Sequence, residues 1–229
     1  MLGKLEKMDA FFEARLDGYD EHMLRDIAGA REFYPYTAAC LPERDGAQVL
    51  DLGIGTGLEL GFYFSRNPAA RVTGIDLSRA MLAAAARKFP GKALELVCAS
   101  YFDAELGIGR YDAAVSVESL HHFTAEEKLP LYEKLCRAIR ADGRFVLTDY
   151  FAESDEIERA NFETLARLRR EQGITDGGFY HYDTPLTLAH ECELLRAAGF
   201  SRVTVAKTWG ATATVLAERS CRDCRKSSV

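Results

Sequence analysis

Between residues 3 and 28, apolar side chains recur at steps of three and four: Leu5, Met8, Phe12, Leu16, Tyr19 and Met23. That spacing predicts helix with one apolar face, broken at Gly18. After FYPY at 33–36, read as a turn, short apolar runs take over. AQVLDL (47–52), RVTGID (71–76), LELVCA (94–99), DAAVSV (112–117) and RFVLTDY (144–150) each predict a strand. Between them fall a helix starting near Gly57, the helix RAMLAAAARKF capped by Ser78 and stopped at Pro90-Gly91, and a helix running to Arg140. Thr124 and Glu127 form a capping box for the last of these, Pro130 falls inside it, and Asp142-Gly143 ends it. Strands that are apolar throughout and alternate with helices predict a parallel sheet covered on both faces, the doubly wound α/β class.

Beyond residue 150 the pattern changes. Residues 153–172 predict a helix with acids early (Glu153, Asp155, Glu156, Glu158) and bases late (Arg167, Arg169, Arg170), as the helix dipole favours. The loop TDGGFYHYD follows at 175–183, and Thr184-Pro185 predicts the start of another helix closed by Gly199. RVTVAK (202–207) and TATVLAE (212–218) predict a closing hairpin.

Length and charge narrow the function classes. With 229 residues, 48% of them hydrophobic, one domain with a single sizeable core is expected. A net charge of −6 argues against a broad basic face for duplex nucleic acid. The charged N-terminus has no signal-peptide pattern and no apolar run reaches a bilayer span, so a cytoplasmic protein without membrane segments is expected. Of the six cysteines, Cys40, Cys98, Cys136 and Cys192 sit in contexts suited to reduced, partly buried thiols; Cys221 and Cys224 form a lone CxxC in a polar tail, short of the second pair a structural zinc site wants. No metal is expected.

The chemistry lies in VLDLGIGTGLEL at 49–60. A glycine turn between a first strand and its helix is where an open α/β sheet holds a nucleotide. The spacing is GxGxG, with Leu58 where the dinucleotide fingerprint has its third glycine. Asp51, at the strand end, would repel a pyrophosphate and attract a ligand carrying an ammonium and a sulfonium; at an effective dielectric near 20 and about 4 Å the difference in sign is worth several kcal/mol. Asp76 ends the second strand, where an acid can take both ribose hydroxyls. Together the two acids describe an adenosine with a positive, amino-acid-like arm.

These residues make the chain resemble the class I S-adenosylmethionine-dependent methyltransferases. FFEARLDGYD, VLDLGIGTG, GIDLS, VCASYFD, YDAAVSVESLHHF, ADGRFVLTDY and AAGF with the final hairpin arrive in the family's order and cover nearly the whole chain. The resemblance implies a Rossmann-like sheet of seven strands, mostly parallel, in the order 3-2-1-4-5-7-6 with the last strand antiparallel. It implies one domain, 1–229, made of an N-terminal helical lid (1–45), a cofactor-binding core (46–150), a substrate-side insertion (151–190), a closing helix and hairpin (191–218) and a polar tail (219–229). S-adenosyl-L-methionine is then the implied cofactor. Asp51, Gly53, Gly55 and Gly57 would surround its methionine arm with Val117 opposite, Asp76 and Leu77 would meet the ribose, and Ser100 and Tyr101 the adenine. Ser100 departs from the family's frequent Asp. Tyr19 and Tyr34 are lid candidates for the ligand carboxylate.

On the acceptor side, His121 and His122 follow the fourth strand, and His122 is the candidate general base. Tyr150, Phe179, Tyr180 and His181 are the candidate substrate contacts for a small-molecule acceptor, and a homodimer is compatible with the sequence. The insertion is also similar in layout to carboxy-S-adenosylmethionine synthase, an enzyme of tRNA wobble-uridine modification, although residues 171–195 contain no Arg or Lys to pair with the extra carboxylate of that ligand. A nucleotide-binding oxidoreductase and a non-catalytic cofactor-binding protein complete the alternatives.

Overall fold

The computed structural model describes residues 3–220; Cys221 and Cys224 lie outside the described residues. The N-terminal stripe forms two short helices, α1 (Met8–Glu13) and α2 (Tyr19–Asp26), with Gly18 between them at φ 80°. FYPY is helical, not a turn: it lies inside α3 (Ala30–Ala39). Phe33, Tyr34, Thr37 and Ala38 are all buried, so the helix continues through Pro35 at the loss of one backbone hydrogen bond.

The alternating region then runs β1 (Gln48–Leu52), α4 (Leu58–Arg66), β2 (Arg71–Asp76), α5 (Arg79–Lys88), β3 (Ala93–Cys98), β4 (Tyr111–Val117), α6 (Ala125–Ala138) and β5 (Ile139–Tyr150). The chain closes with α7 (Asp155–Glu171), α8 (Leu188–Ala197), β6 (Arg202–Trp209) and β7 (Thr212–Glu218). The seven strands form one sheet in the order β3-β2-β1-β4-β5-β7-β6, with β7 antiparallel to both its neighbours. Successive residues of the central strands feed opposite faces: Val49, Ala113 and Val146 join Phe33, Leu60 and Tyr63, while Leu50, Ala114 and Phe145 join Leu131, Leu135 and Leu195.

Three boundaries differ from expectation. Pro130 leaves α6 unbroken, and β5 begins at Ile139 because Ile139 pairs with Tyr111; the Asp142-Gly143 bend, with Asp142 at φ 65°, falls inside that strand. Thr184-Pro185 does not open α8. Thr187 is its cap, and Thr184 instead gives its amide to the His121 carbonyl at 2.8 Å.

At the carboxyl edge, the lid and the insertion are joined by backbone: Met8 donates to the Phe179 carbonyl at 3.1 Å and His181 to the Glu6 carbonyl at 2.9 Å. The lid is also tied to the core. Asp20 on α2 accepts from the Thr56 hydroxyl in the glycine turn and from the Lys88 ammonium at the end of α5. Cys136 and Cys192 are buried, Cys40 is half-buried and Cys98 is exposed; Cys40, Cys98 and Cys192 are free thiols. Among the described residues, no helix is long and apolar enough to cross a membrane.

Candidate functional site

The glycine turn bonds to the neighbouring strand, with Gly53 donating to the Ile75 carbonyl at 2.9 Å. Gly53, Gly55 and Gly57 all have positive φ, at 74°, 51° and 70°. A Cβ on Gly53 would collide with Ser119, and one on Gly57 would press on Phe89. One on Gly55 would meet nothing within 4 Å. Gly53 and Gly57 are therefore closely packed, while Gly55 faces open space, as a close approach by a ligand requires.

The cleft in front of Gly55 is lined by Gly53, Asp76, Leu77, Tyr101 and Val117 from the core and by Met8, Asp9, Phe12 and Tyr19 from the lid. Asp76 is fixed there by two amides: Gly55 donates to Oδ2 and Ser78 to Oδ1, both at 2.8 Å. Burial raises the Asp76 carboxyl, and these amides oppose the shift. Ser78, Met81, Glu118 and Ser119 complete the wall. Asp9, Asp76 and Glu118 make three acids, and no Lys or Arg lines the cleft.

Other expected contacts are placed differently. Gly57 caps α4 and stays outside the lining. Tyr34 is buried and packs on Phe33, with ring centroids 4.9 Å apart, and is not on the cleft wall. The Ser100 hydroxyl accepts the Phe102 amide at 3.2 Å, and Ser100 is not on the cleft wall. Asp51 lies behind the glycine turn, buried and hydrogen-bonded to Glu59 on α4. Burial pushes the Asp51 carboxyl well above the usual range, with Glu59 adding to the effect, and burial raises Glu59 as well. Among the described residues Asp51 Oδ2 and Glu59 Oε1 have no hydrogen-bond partner.

A second cavity of about 610 Å³ adjoins the first and shares Phe12, Tyr19 and Glu118 with it. Its polar wall includes His121, His122, Tyr150, His181 and Asp183. His121 Nδ1 donates to Asp149 at 2.5 Å, and the other Asp149 oxygen accepts the Leu120 amide at 2.9 Å. His122 Nδ1 lies 3.1 Å from Asp183 Oδ1. Burial opposes charge on His121, but Asp149 outweighs it and the imidazole is raised; burial lowers His122, and His121 lowers it further. Glu118 sits at φ 50°, its Oε1 unpartnered, and burial pushes its carboxyl up to about 8. A non-glycine residue held in that region costs about 1–3 kcal/mol, a strain typical of functional positions.

The FYHY cluster divides. His181 joins the second cavity, stacked on Phe11 with centroids 3.4 Å apart. Phe179 packs on Phe102 and Phe123, and Tyr180 lies under Arg169; both face a groove beside α7. Sequence reasoning missed Asp9, Glu59, Glu118, Asp149 and Asp183. Acids at strand ends, in ESLHH, LTDY and HYD, were the available signal.

A partnerless buried carboxylate oxygen behind the turn, another in the cleft wall, and open space at Gly55 suit a ligand that is positively charged and comes close to the backbone. An adenosyl sulfonium with an ammonium arm fits this set, and a pyrophosphate does not.

Comparison with known proteins agrees. Residues 49–143 match the family model described as a methyltransferase domain. The chain is 48% identical over 58 residues to a trans-aconitate 2-methyltransferase of Deinococcus radiodurans, covering 25% of this chain and only 22% of that enzyme. It is 22% identical over 226 residues to a carboxy-S-adenosyl-L-methionine synthase of Nautilia profundicola, covering 93% of this chain and 95% of that one. Human N-acetylserotonin methyltransferase in complex with S-adenosylmethionine shares the fold, with a TM-score of 0.65 at 15% identity over 93% of this chain and 56% of that one. Residues 49–143 therefore form a methyltransferase domain, the fold is shared with S-adenosylmethionine-dependent methyltransferases, and S-adenosylmethionine is the cofactor.

Proposed function

We propose that this chain methylates a small molecule held in the second cavity, with His122 serving the acceptor atom. The observation that carries this reading is the junction of the two cavities at Phe12, Tyr19 and Glu118, one cavity acid-lined and the other walled by imidazoles. When bound, the cofactor supplies a methyl group on a positively charged sulfur, open to in-line displacement. The residues of this chain do the rest.

Asp76 and the Gly55 backbone hold the ribose side, Tyr101 and Leu77 flank the base, and the buried acids favour the positive arm. Phe12 and Tyr19 close over the junction and exclude water, so the acceptor atom is held near the methyl group. Asp183 orients His122, which takes the proton released by a neutral acceptor. The volume suits a small molecule, within the range of roughly 300–1,000 Å³ typical of ligand pockets. Cys40, Cys98 and Cys192 are free thiols, which suits a reducing compartment and supports a cytoplasmic setting.

The synthase reading finds little support in the charges. Arg15 is the Lys or Arg on the second cavity, and it is engaged by Glu6 at 3.0 Å and by the Phe11 carbonyl at 2.9 Å. Arg167 pairs with Glu171, and Arg169 bonds the Asp176 and Gly178 carbonyls.

Calorimetry with S-adenosylmethionine, followed by transfer of a labelled methyl group to a panel of small hydroxyl, carboxyl, thiol and amine compounds, tests the proposal. Cofactor binding with turnover on at least one compound supports it. Cofactor binding with no turnover on any compound, or tighter binding of a nicotinamide dinucleotide, overturns it.

A further inference from the structure

Three imidazoles in the second cavity converge on one carboxylate oxygen. Asp183 Oδ1 lies 3.1 Å from His122 Nδ1, 3.8 Å from His121 Nε2 and 4.0 Å from His181 Nε2. For His121, His122 and Asp183 the donor atoms all lie within 4.8 Å of one another. The first of those three separations is a hydrogen bond; the other two are too long for one. All three are close to ligand spacing, since two donors each about 2.1 Å from a tetrahedral ion stand about 3.4 Å apart.

The scaffold around these atoms is fixed. His121 gives its other ring nitrogen to Asp149, which is itself held by the Leu120 amide, the arrangement that orients a ligating imidazole. Thr184 donates its amide to the His121 carbonyl, pinning the Asp183 loop against the histidine pair. His181 is held by its stack on Phe11 and by its amide bond to Glu6. His121 and His122 are buried, while Asp183 is 49% exposed and faces the cavity.

We propose that His121, His122, His181 and Asp183 bind a divalent transition cation of the zinc or cobalt class at the floor of the acceptor cavity. Three nitrogen donors with one carboxylate oxygen suit these ions, whereas magnesium and calcium take oxygen ligands. The cavity opens onto the site, so a hydroxyl, carboxylate or thiol group can reach the ion. Resting on the methyl-transfer reading, this names the acceptor class as molecules with an oxygen or sulfur donor. His122 then serves the acceptor atom through the ion.

The site is tested by metal binding, separately from activity. Protein carrying Cys221→Ser and Cys224→Ser, free of affinity tag and stripped of metal, is titrated with zinc chloride by calorimetry and with cobalt chloride by visible absorption. One ion per chain, with cobalt bands of four- or five-coordinate nitrogen-oxygen ligation, is expected. His181→Ala, at a partly exposed position, and Asp183→Ala each weaken binding at least tenfold while S-adenosylmethionine affinity is kept. Absence of the cobalt bands, or zinc affinity unchanged in both variants, overturns the cation site. Loss of cofactor affinity in the parent protein strikes the methyl-transfer reading instead.

Discussion

The Gly55 amide donates to the Asp76 carboxylate across the gap between the first two strands, at 2.8 Å. The bond ties the glycine that faces open space to the acid we propose for the ribose, so each depends on the other. Asp76→Ala removes a carboxylate that accepts two amides and faces the cleft; charge-assisted hydrogen bonds contribute about 1.5–3 kcal/mol each. We expect S-adenosylmethionine affinity to fall at least tenfold, with the domain still folded by circular dichroism. Gly55→Val fills the open space and forces a β-branched residue to φ 51°, and we expect binding to be lost. Normal affinity in either variant would remove the cofactor-site assignment.

Asp51 and Glu59 predict a trade between stability and binding. Their carboxyls are raised in the folded protein, so the fold binds protons there that the unfolded chain releases. Stability from this pair is fully present below the ordinary carboxylate range, near 4, and is lost as pH rises through the folded values. Asp51→Asn removes the second buried carboxyl. The variant is expected to melt higher than the parent at pH 8, with the difference shrinking toward pH 5, and to bind S-adenosylmethionine more weakly. Identical melting curves at both pH values would contradict it.

The sheet was readable because its strands are buried on both faces and their helices are punctuated by Ser78, Pro90 and the Thr124 cap, all local signals. The helical FYPY segment was not. Its helix is decided by the burial of Phe33 and Tyr34, a tertiary term that outweighs the turn preference of Pro35. On the proposed cofactor side, the motif residues Gly53, Gly55 and Asp76 lie together on the cleft wall, where backbone and motif coincide. Ser100 and Tyr34 follow family position and also have local partners, the Phe102 amide and the Phe33 ring, and neither is on the cleft wall. The acceptor side was legible only in part, because Asp149 and Asp183 join His121 and His122 through contacts between strand ends and the insertion, and no sequence spacing records them.

The lid clasp can be loosened without unfolding the domain. Asp20 and Lys88 are 38% and 32% exposed, so their pair contributes at most about 1 kcal/mol to stability. Asp20 follows Tyr19, which lines both cavities, and it also holds the Thr56 hydroxyl of the glycine turn. In Asp20→Ala we expect a melting temperature within a few degrees of the parent and S-adenosylmethionine dissociation several-fold faster in stopped-flow measurements. Unchanged dissociation would mean that α2 does not gate the cleft.

His122 separates the two sides of the site. It lines the second cavity and the groove beside α7 but not the cleft that contains Gly55 and Asp76. A residue that serves the acceptor atom affects the transition state and leaves the donor's ground-state binding alone. His122→Ala is therefore expected to lower kcat by about a hundredfold, the lower end of what a proton-transfer group contributes, while S-adenosylmethionine affinity changes by less than about threefold. The imidazole is buried, so its removal also leaves a small cavity, and His122→Gln keeps the volume as the folding control. If both variants turn over normally, His122 packs the loop and nothing more. If both lose cofactor affinity in proportion to kcat, the two cavities are one site and the division between donor and acceptor residues fails.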